Sequence, residues 1–317
     1  GLHNYRFGTE ALEYFSELIG SYPYEKLAHV QSKTRYGGME NAGCIFYHEG
    51  TGIMDRSFEE LFAHEVAHQW FGNFVTATSG KHHWLQEGFA TYYAWLVERK
   101  VFGDNYFHFK LYESAQRLVM QDKAGQGTSL LNPKSSSLTF YEKGAWTIYM
   151  LRELIGDVAF KNTVKRYLNA YQFGNADTAE FIAIAEEESG QDLSNFAKVW
   201  FEDEQFPITR AMDALKHNSV FINEYLMVDC EVATSKCKDY LVSGISDEAK
   251  IKIIAQNPKL VTAEVFKNSF KVRQAIAQSL TELPRDLKFE FESLLQDRSY
   301  TTVESALYNL WINFPGD

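Results

Sequence analysis

Apolar residues recur along this chain mostly at intervals of three and four, so the pattern predicts a mainly helical protein. Leu12, Phe15, Leu18 and Ile19 fall on one helical face within residues 9–19, and Gly20 follows as a stop signal. Two short apolar runs, 26–31 and 44–47, are bounded by turn formers and read as strands. A Gly-rich bend, Arg35-Tyr36-Gly37-Gly38-Met39-Glu40-Asn41, lies between them. Ser57 and Glu60 form a capping box, which predicts a helix from there to about Trp70, ending near Gly72-Asn73. Helical spacing also covers 87–101 and 105–120, then gives way to a polar loop over 121–139. It resumes at 144–155, 158–170, 178–188 (opened by a second capping box, Asp177 with Glu180) and 193–201. From 208 to about 240 the pattern is mixed. Beyond Ser243-Gly244, amphipathic segments at 247–256, 262–280, 285–296 and 301–314 predict a second helical unit. The division expected is 1–208, a connector at 209–242, and a helical region at 243–317.

Composition narrows the class. At 317 residues, 45% hydrophobic and 23% charged, the chain can bury a sizeable core and is not intrinsically disordered. Its formal charge of −11 offers nothing to neutralise a phosphate backbone, which argues against a nucleic-acid partner. No run approaches the ~20 apolar residues of a transmembrane helix. Three cysteines are too few for a disulfide scaffold; Cys230 and Cys237 can pair or stay free, depending on the compartment. The ends show no signal peptide and read as cut from a longer chain, so they assign no localisation.

The chemistry concentrates in His64-Glu65-Val66-Ala67-His68, inside the first capped helix. Residues four apart share a helix face, so both imidazoles can reach one ion while Glu65 projects beside them. Glu87 follows His68 after eighteen residues, enough to end one helix, form a loop and return a carboxylate from the next. Two His and one Glu with an open fourth position form the donor set of hydrolytic zinc sites. His82 and His83 are rival ligands by type alone. A purely structural zinc would more often be closed by four ligands and rich in Cys.

Taken together, Gly37-Gly38-Met39-Glu40-Asn41, the block His64 to Asn73, and Trp84-Leu85-Gln86-Glu87-Gly88-Phe89-Ala90 resemble the aminopeptidase N family. This is the gluzincin branch of the zinc aminopeptidases, related to aminopeptidase B and the leukotriene epoxide hydrolase. A further stretch, Tyr141-Glu142-Lys143-Gly144-Ala145, is similar to the segment holding that family's catalytic tyrosine. Gln86 departs from the Asn usual in the family, which bears on a contact near the metal and not on the ligand. The resemblance is specific over about 22–205. It implies a mainly α (α+β) fold, a thermolysin-like catalytic domain followed by a helical C-terminal region, with an N-terminal β domain that would precede residue 1.

The same resemblance implies one Zn2+ held by His64, His68 and Glu87, with Glu65 as general base and Tyr141 as hydrogen-bond donor to the developing oxyanion. It makes Gly37, Gly38, Met39, Glu40 and Asn41 the loop that binds peptide substrates, with Glu40 gripping their free N-terminal amine. The expected activity is removal of the N-terminal residue of peptides. Two other readings remain open. One is an epoxide hydrolase of the leukotriene type, which shares the Gly-Gly-Met-Glu-Asn variant. The other is a non-catalytic, zinc-stabilised peptide-binding module, which predicts loss of Glu65 or Tyr141, although both are present.

Overall fold

The computed structural model describes residues 2–52 and 59–316, with side chains from residue 7 onward. The Ser57 half of the first capping box therefore lies outside the described residues. The chain divides into two units, residues 1–217 and 218–317.

In the first unit, α1 (Leu2–Leu18) starts before the periodic stretch that predicts it. Its buried Phe15 sets its ring edge-on against Trp70 and Tyr93. Three strands follow: β1 (Ala28–Ser32), β2 (Gly38–Met39) and β3 (Cys44–His48). The sheet order is β1-β3-β2, with β1 parallel and β2 antiparallel to β3. Gly38 stands opposite Tyr47 and Met39 opposite Phe46, so β2 is an edge strand with one side of its backbone unpaired within the sheet.

Helix α2 (Glu59–Ala67) is prolonged by tighter turns, in which Gln69 N–H donates to Val66 O and Trp70 N–H to Ala67 O. After β4 (Val75–Ala77) comes α3 (Trp84–Phe102), the central helix of the unit. Nearly every residue of α3 from Trp84 to Glu98 is buried, which is why it shows no amphipathic stripe. It packs against α2 and, on α4's far side in sequence, against α5. Next are α4 (Asp104–Lys123), a π-helical turn at Thr139–Lys143 running into α5 (Gly144–Ile155), and α6 (Asp157–Ala170). Then follow β5 (Gly174–Ala176), α7 (Thr178–Ser189), α8 (Ser194–Ala197) and α9 (Ile208–Asn218). The Asp177/Glu180 capping box opens α7 with both reciprocal hydrogen bonds.

The sequence reading assigned neither β4 nor β5. They pair in parallel, Val75 opposite Gly174 and Ala77 opposite Ala176. Strands of three residues carry almost no period-two signal, and each of these is held by a partner far away in sequence.

The second unit contains α10 (Val220–Met227), α11 (Thr234–Leu241), α12 (Asp247–Gln256), α13 (Phe270–Ser279), α14 (Lys288–Ser293) and α15 (Tyr300–Asn313). The single helix expected at 262–280 is broken: a short 3-10 turn, Ala263–Lys267, precedes α13, whose N-cap Ser269 accepts from Val272 N–H. Residues of the stretch 209–242 are largely helical, and Cys230 and Cys237 within it form a disulfide. Both cysteines sit in a core with Leu241, Ile253, Val265, Ile276 and Phe291. Among the described residues no helix is long and apolar enough to cross a membrane.

Candidate active site

The helical repeat of α2 places His64 and His68 on one face, and the start of α3 delivers Glu87 to the same point. His64 Nε2 lies 3.0 Å from His68 Nε2, and both nitrogens are 3.2 Å from Glu87 Oε2. All three residues are buried. His68 Nδ1 donates to the Phe71 carbonyl at 2.8 Å, which fixes the ring so that Nε2 faces the Glu87 carboxylate; when His68 is neutral, its proton sits on Nδ1 and the Nε2 lone pair turns inward. Thr91 Oγ1 stands 3.4 Å from His64 Nδ1 and plays a comparable part. Two imidazole nitrogens and a carboxylate oxygen facing one another at such distances can hold a cation. Three donors at ~2.0–2.1 Å from one tetrahedral ion stand roughly 3.4 Å apart, so the arrangement fits zinc.

The remaining residues of the motifs surround this triangle. Glu65 is buried, and its Oε2 has no hydrogen-bond partner among the described residues. Burial first, then the carboxylates of Glu40 and Glu87, push its carboxyl up to about 8 against the pull of His68. Burial alone would raise Glu87, but His68 and His64 overcome it and hold that carboxyl far below the ordinary range. Tyr141 stacks its ring on His64, with centroids 5.2 Å apart and planes 6° from parallel. Burial and the neighbouring Glu87 carboxylate keep its phenol well above the usual value, so it remains an O–H donor.

Two close approaches build this geometry. Gly38 of β2 packs directly on Glu65, whose carboxylate would collide with any Cβ there. Gly88 of α3 meets Gly144 of α5 backbone to backbone, and a Cβ on Gly88 would stand 2.9 Å from Gly144 Cα. That contact brings the π-helical turn bearing Tyr141 against the helix bearing Glu87. The turn is held from behind by Lys143, a buried ammonium donating to the carbonyls of Thr128, Asp203 and Glu204.

The loop after β2 is also tied to α2. Gln69 donates to the Glu40 carbonyl at 3.0 Å, Asn73 donates to the same oxygen, and Gln69 Oε1 accepts from Gly43 N–H. The Glu40 side chain is half-buried, and its charge acts on Glu65, His68 and Tyr141. Met39 is half-buried in β2, while Asn41 is exposed and its carbonyl accepts from Cys44 N–H. Gln86 accepts from Ala77 N–H at 3.0 Å and so links the start of α3 to β4. Of the rival ligands, His82 turns away to Thr178, at 2.9 Å. His83 stands 3.4 Å from Glu87 Oε1, the oxygen facing away from the two imidazoles. Sequence reasoning missed Thr91, Gln69, Asn73 and the Phe71 carbonyl, which carry no signal until the fold brings them to the site.

A helical domain with a His-His-Glu donor set on two adjacent helices, a buried carboxylate beside it and a phenol over it is the framework of a zinc-type metallopeptidase. The peptidase family M1 domain matches residues 4–200, and the chain belongs to that family. It is 29% identical over 221 residues to aminopeptidase M1-D of Oryza sativa subsp. japonica, covering 63% of this chain and 25% of that protein. With aminopeptidase 2 of Candida albicans it shares 26% identity over 230 residues, covering 66% of this chain and 25% of the relative. The chain thus spans about a quarter of the length of these relatives. Among solved structures it resembles an M1 zinc metallopeptidase from Deinococcus radiodurans, with a TM-score of 0.56, 25% identity, and coverage of 63% of this chain and 45% of that one. Yeast LTA4 hydrolase shares the fold at a TM-score of 0.60 and 18% identity, over 98% of this chain and 54% of its own.

Proposed function

We propose that the chain carries the catalytic centre of a zinc-dependent aminopeptidase that hydrolyses the N-terminal peptide bond of peptides. The observation that supports this reading most is the convergence of His64, His68 and Glu87 beside Tyr141, with the buried carboxylate of Glu65 alongside, its Oε2 without a hydrogen-bond partner among the described residues. His64, His68 and Glu87 would hold the ion; when bound, zinc supplies Lewis acidity to the scissile carbonyl and to the attacking water.

The protein's own groups do the rest. An extended substrate lies along β2, whose outer backbone groups are available for strand-like pairing. Its ammonium is held by the Glu40 carboxylate, which fixes the first peptide bond over the centre and confines cleavage to the N-terminus. Glu65 takes a proton from the attacking water, and a carboxyl raised toward neutrality is suited to pass that proton on to the leaving amine. Tyr141 donates its O–H to the oxygen that becomes negative, an interaction that strengthens in the transition state. The test is turnover of an aminoacyl anilide, with and without zinc, against a lipid epoxide. Zinc-dependent anilide hydrolysis without epoxide turnover supports the reading; epoxide turnover alone overturns it.

A further inference from the structure

A cavity of about 460 Å³ opens beside Glu65 and Tyr141, walled by Tyr36, Leu61, Trp95 and Arg117. Its place relative to the substrate follows from how the β2 loop runs along α2. Gly37 faces Leu61, Gly38 faces Glu65, and the Glu40 carbonyl is held by Gln69 and Asn73. From Leu61 to Gln69 is about 12 Å at 1.5 Å per residue. The amine end of a substrate therefore lies toward Gln69. The cavity, which includes Leu61 and Glu60 but neither Met39, Glu40 nor Asn41, lies across the catalytic centre on the leaving-group side. Its volume suits one or two residues of the released peptide.

The charges around this cavity are not equally available. Lys110 donates to Glu60 and Glu98, and Trp95 Nε1 donates to Glu60 Oε1. Arg117 Nε donates to both oxygens of Glu142, at 3.0 and 3.1 Å. Only Nε is used in hydrogen bonding: the two terminal nitrogens of Arg117 make no hydrogen bond among the described residues. Both side chains line the cavity, and Arg117 is the more open of the pair, 46% exposed against 18% for Glu142. A planar fork with free donors, braced from behind by a carboxylate, matches a second carboxylate in bidentate geometry.

We propose that Arg117 recognises a carboxylate on the leaving portion of the substrate, either the C-terminal carboxylate of a short peptide or an acidic side chain next to the scissile bond. This rests on the aminopeptidase reading for the direction in which substrate lies. The test uses two pairs of substrates sharing the N-terminal residue whose anilide is turned over fastest. One pair ends in alanine or alanine amide; the other ends in glutamate amide or glutamine amide. Each is measured as kcat/KM and, in a Glu65→Gln background, as affinity by calorimetry. The expected result is a preference of about 10-fold or more for the carboxylate in one pair, within the range of hydrogen bonds to charged groups. Arg117→Gln should bring that ratio to within about 2-fold of unity, and Arg117→Lys, which keeps charge but not the fork, should fall between. The responding pair identifies the source of the carboxylate. Indifference of the parent protein to both pairs, or a preference that survives in a normally folded Arg117→Gln protein, overturns the proposal. If no anilide is hydrolysed, the aminopeptidase reading fails, and calorimetry on the same two pairs built with an N-terminal alanine still decides the role of Arg117.

Discussion

The Gly88–Gly144 contact offers a direct test of how helix packing sets the catalytic geometry. In Gly88→Ala the new methyl would stand 2.9 Å from the Cα and carbonyl carbon of Gly144. Carbon atoms in van der Waals contact rest at ~3.5–4.0 Å, so α3 and α5 must separate by roughly 0.6–1 Å. Neither obstructing atom belongs to a side chain, so no rotamer change relieves the clash. Overpacking of this kind costs about 1–3 kcal/mol, which for a unit of this size lowers the melting temperature by ~2–4 °C per kcal/mol. Glu87 is one residue from the contact on α3 and Tyr141 three residues from it, in the turn that leads into α5. The shift therefore pulls Tyr141 away from the metal donors but leaves the α2–α3 pair that holds them together. Displacements near 1 Å can reduce turnover by ~10²-fold. Gly88→Ala should accordingly keep its zinc and lose roughly 10–100-fold in kcat, with little change in KM. Gly244, which has nothing within 4 Å of a notional Cβ, supplies the matched control. The assays are metal analysis, calorimetric melting and steady-state kinetics on an aminoacyl anilide. A Gly88→Ala protein that melts and turns over like Gly244→Ala would refute the argument.

Four further outcomes are expected. Alanine at His64 or Glu87 should abolish stoichiometric zinc, measured by metal analysis after dialysis; one zinc per chain in either variant would show the ligand assignment to be wrong. Glu65→Gln should retain zinc yet lose on the order of 10²–10⁴ in turnover, and Tyr141→Phe about 10²–10³, mainly in kcat; a normal kcat in either removes that residue from the chemistry. Burial holds the His29 imidazole below its ordinary pKa, so its contribution to stability is present above pH 6.5 and is lost as pH falls through the lowered value; in denaturant titrations from pH 7.5 to 5, His29→Gln should show a shallower decline than the parent. Breaking the Cys230–Cys237 bond should destabilise the second unit by about 2–3 kcal/mol, whereas alkylation without reductant should modify Cys44 alone; labelling of all three cysteines without reductant would argue against the bond.

The parts of this protein legible in the sequence are those fixed by local geometry. A helix face repeats every three to four residues, so His64 and His68 announce a shared ion-binding face wherever the helix lies. The Asp177/Glu180 box closes within one turn and is visible for the same reason. Glu87 required more: its distance from His68 permits a return to the metal and its carboxylate completes a hydrolytic zinc donor set, and the resemblance to known motifs then supported that choice. What depends on separate segments meeting in space was invisible. β4 and β5 exist because each completes the other's hydrogen bonds. Gly38 and Gly88 look like ordinary turn and helix glycines until Glu65 and Gly144 are set against them. Arg117 is one more polar residue on α4, and only the packing of that helix beside the Tyr141 turn puts its guanidinium in the cleft. Sequence determined which donor set the chain carries, because donor type and short-range spacing are properties of the chain itself. Tertiary structure decided which groups stand around that donor set, Gly38 against Glu65 and Arg117 in the cleft among them, because those depend on contacts between segments far apart in sequence.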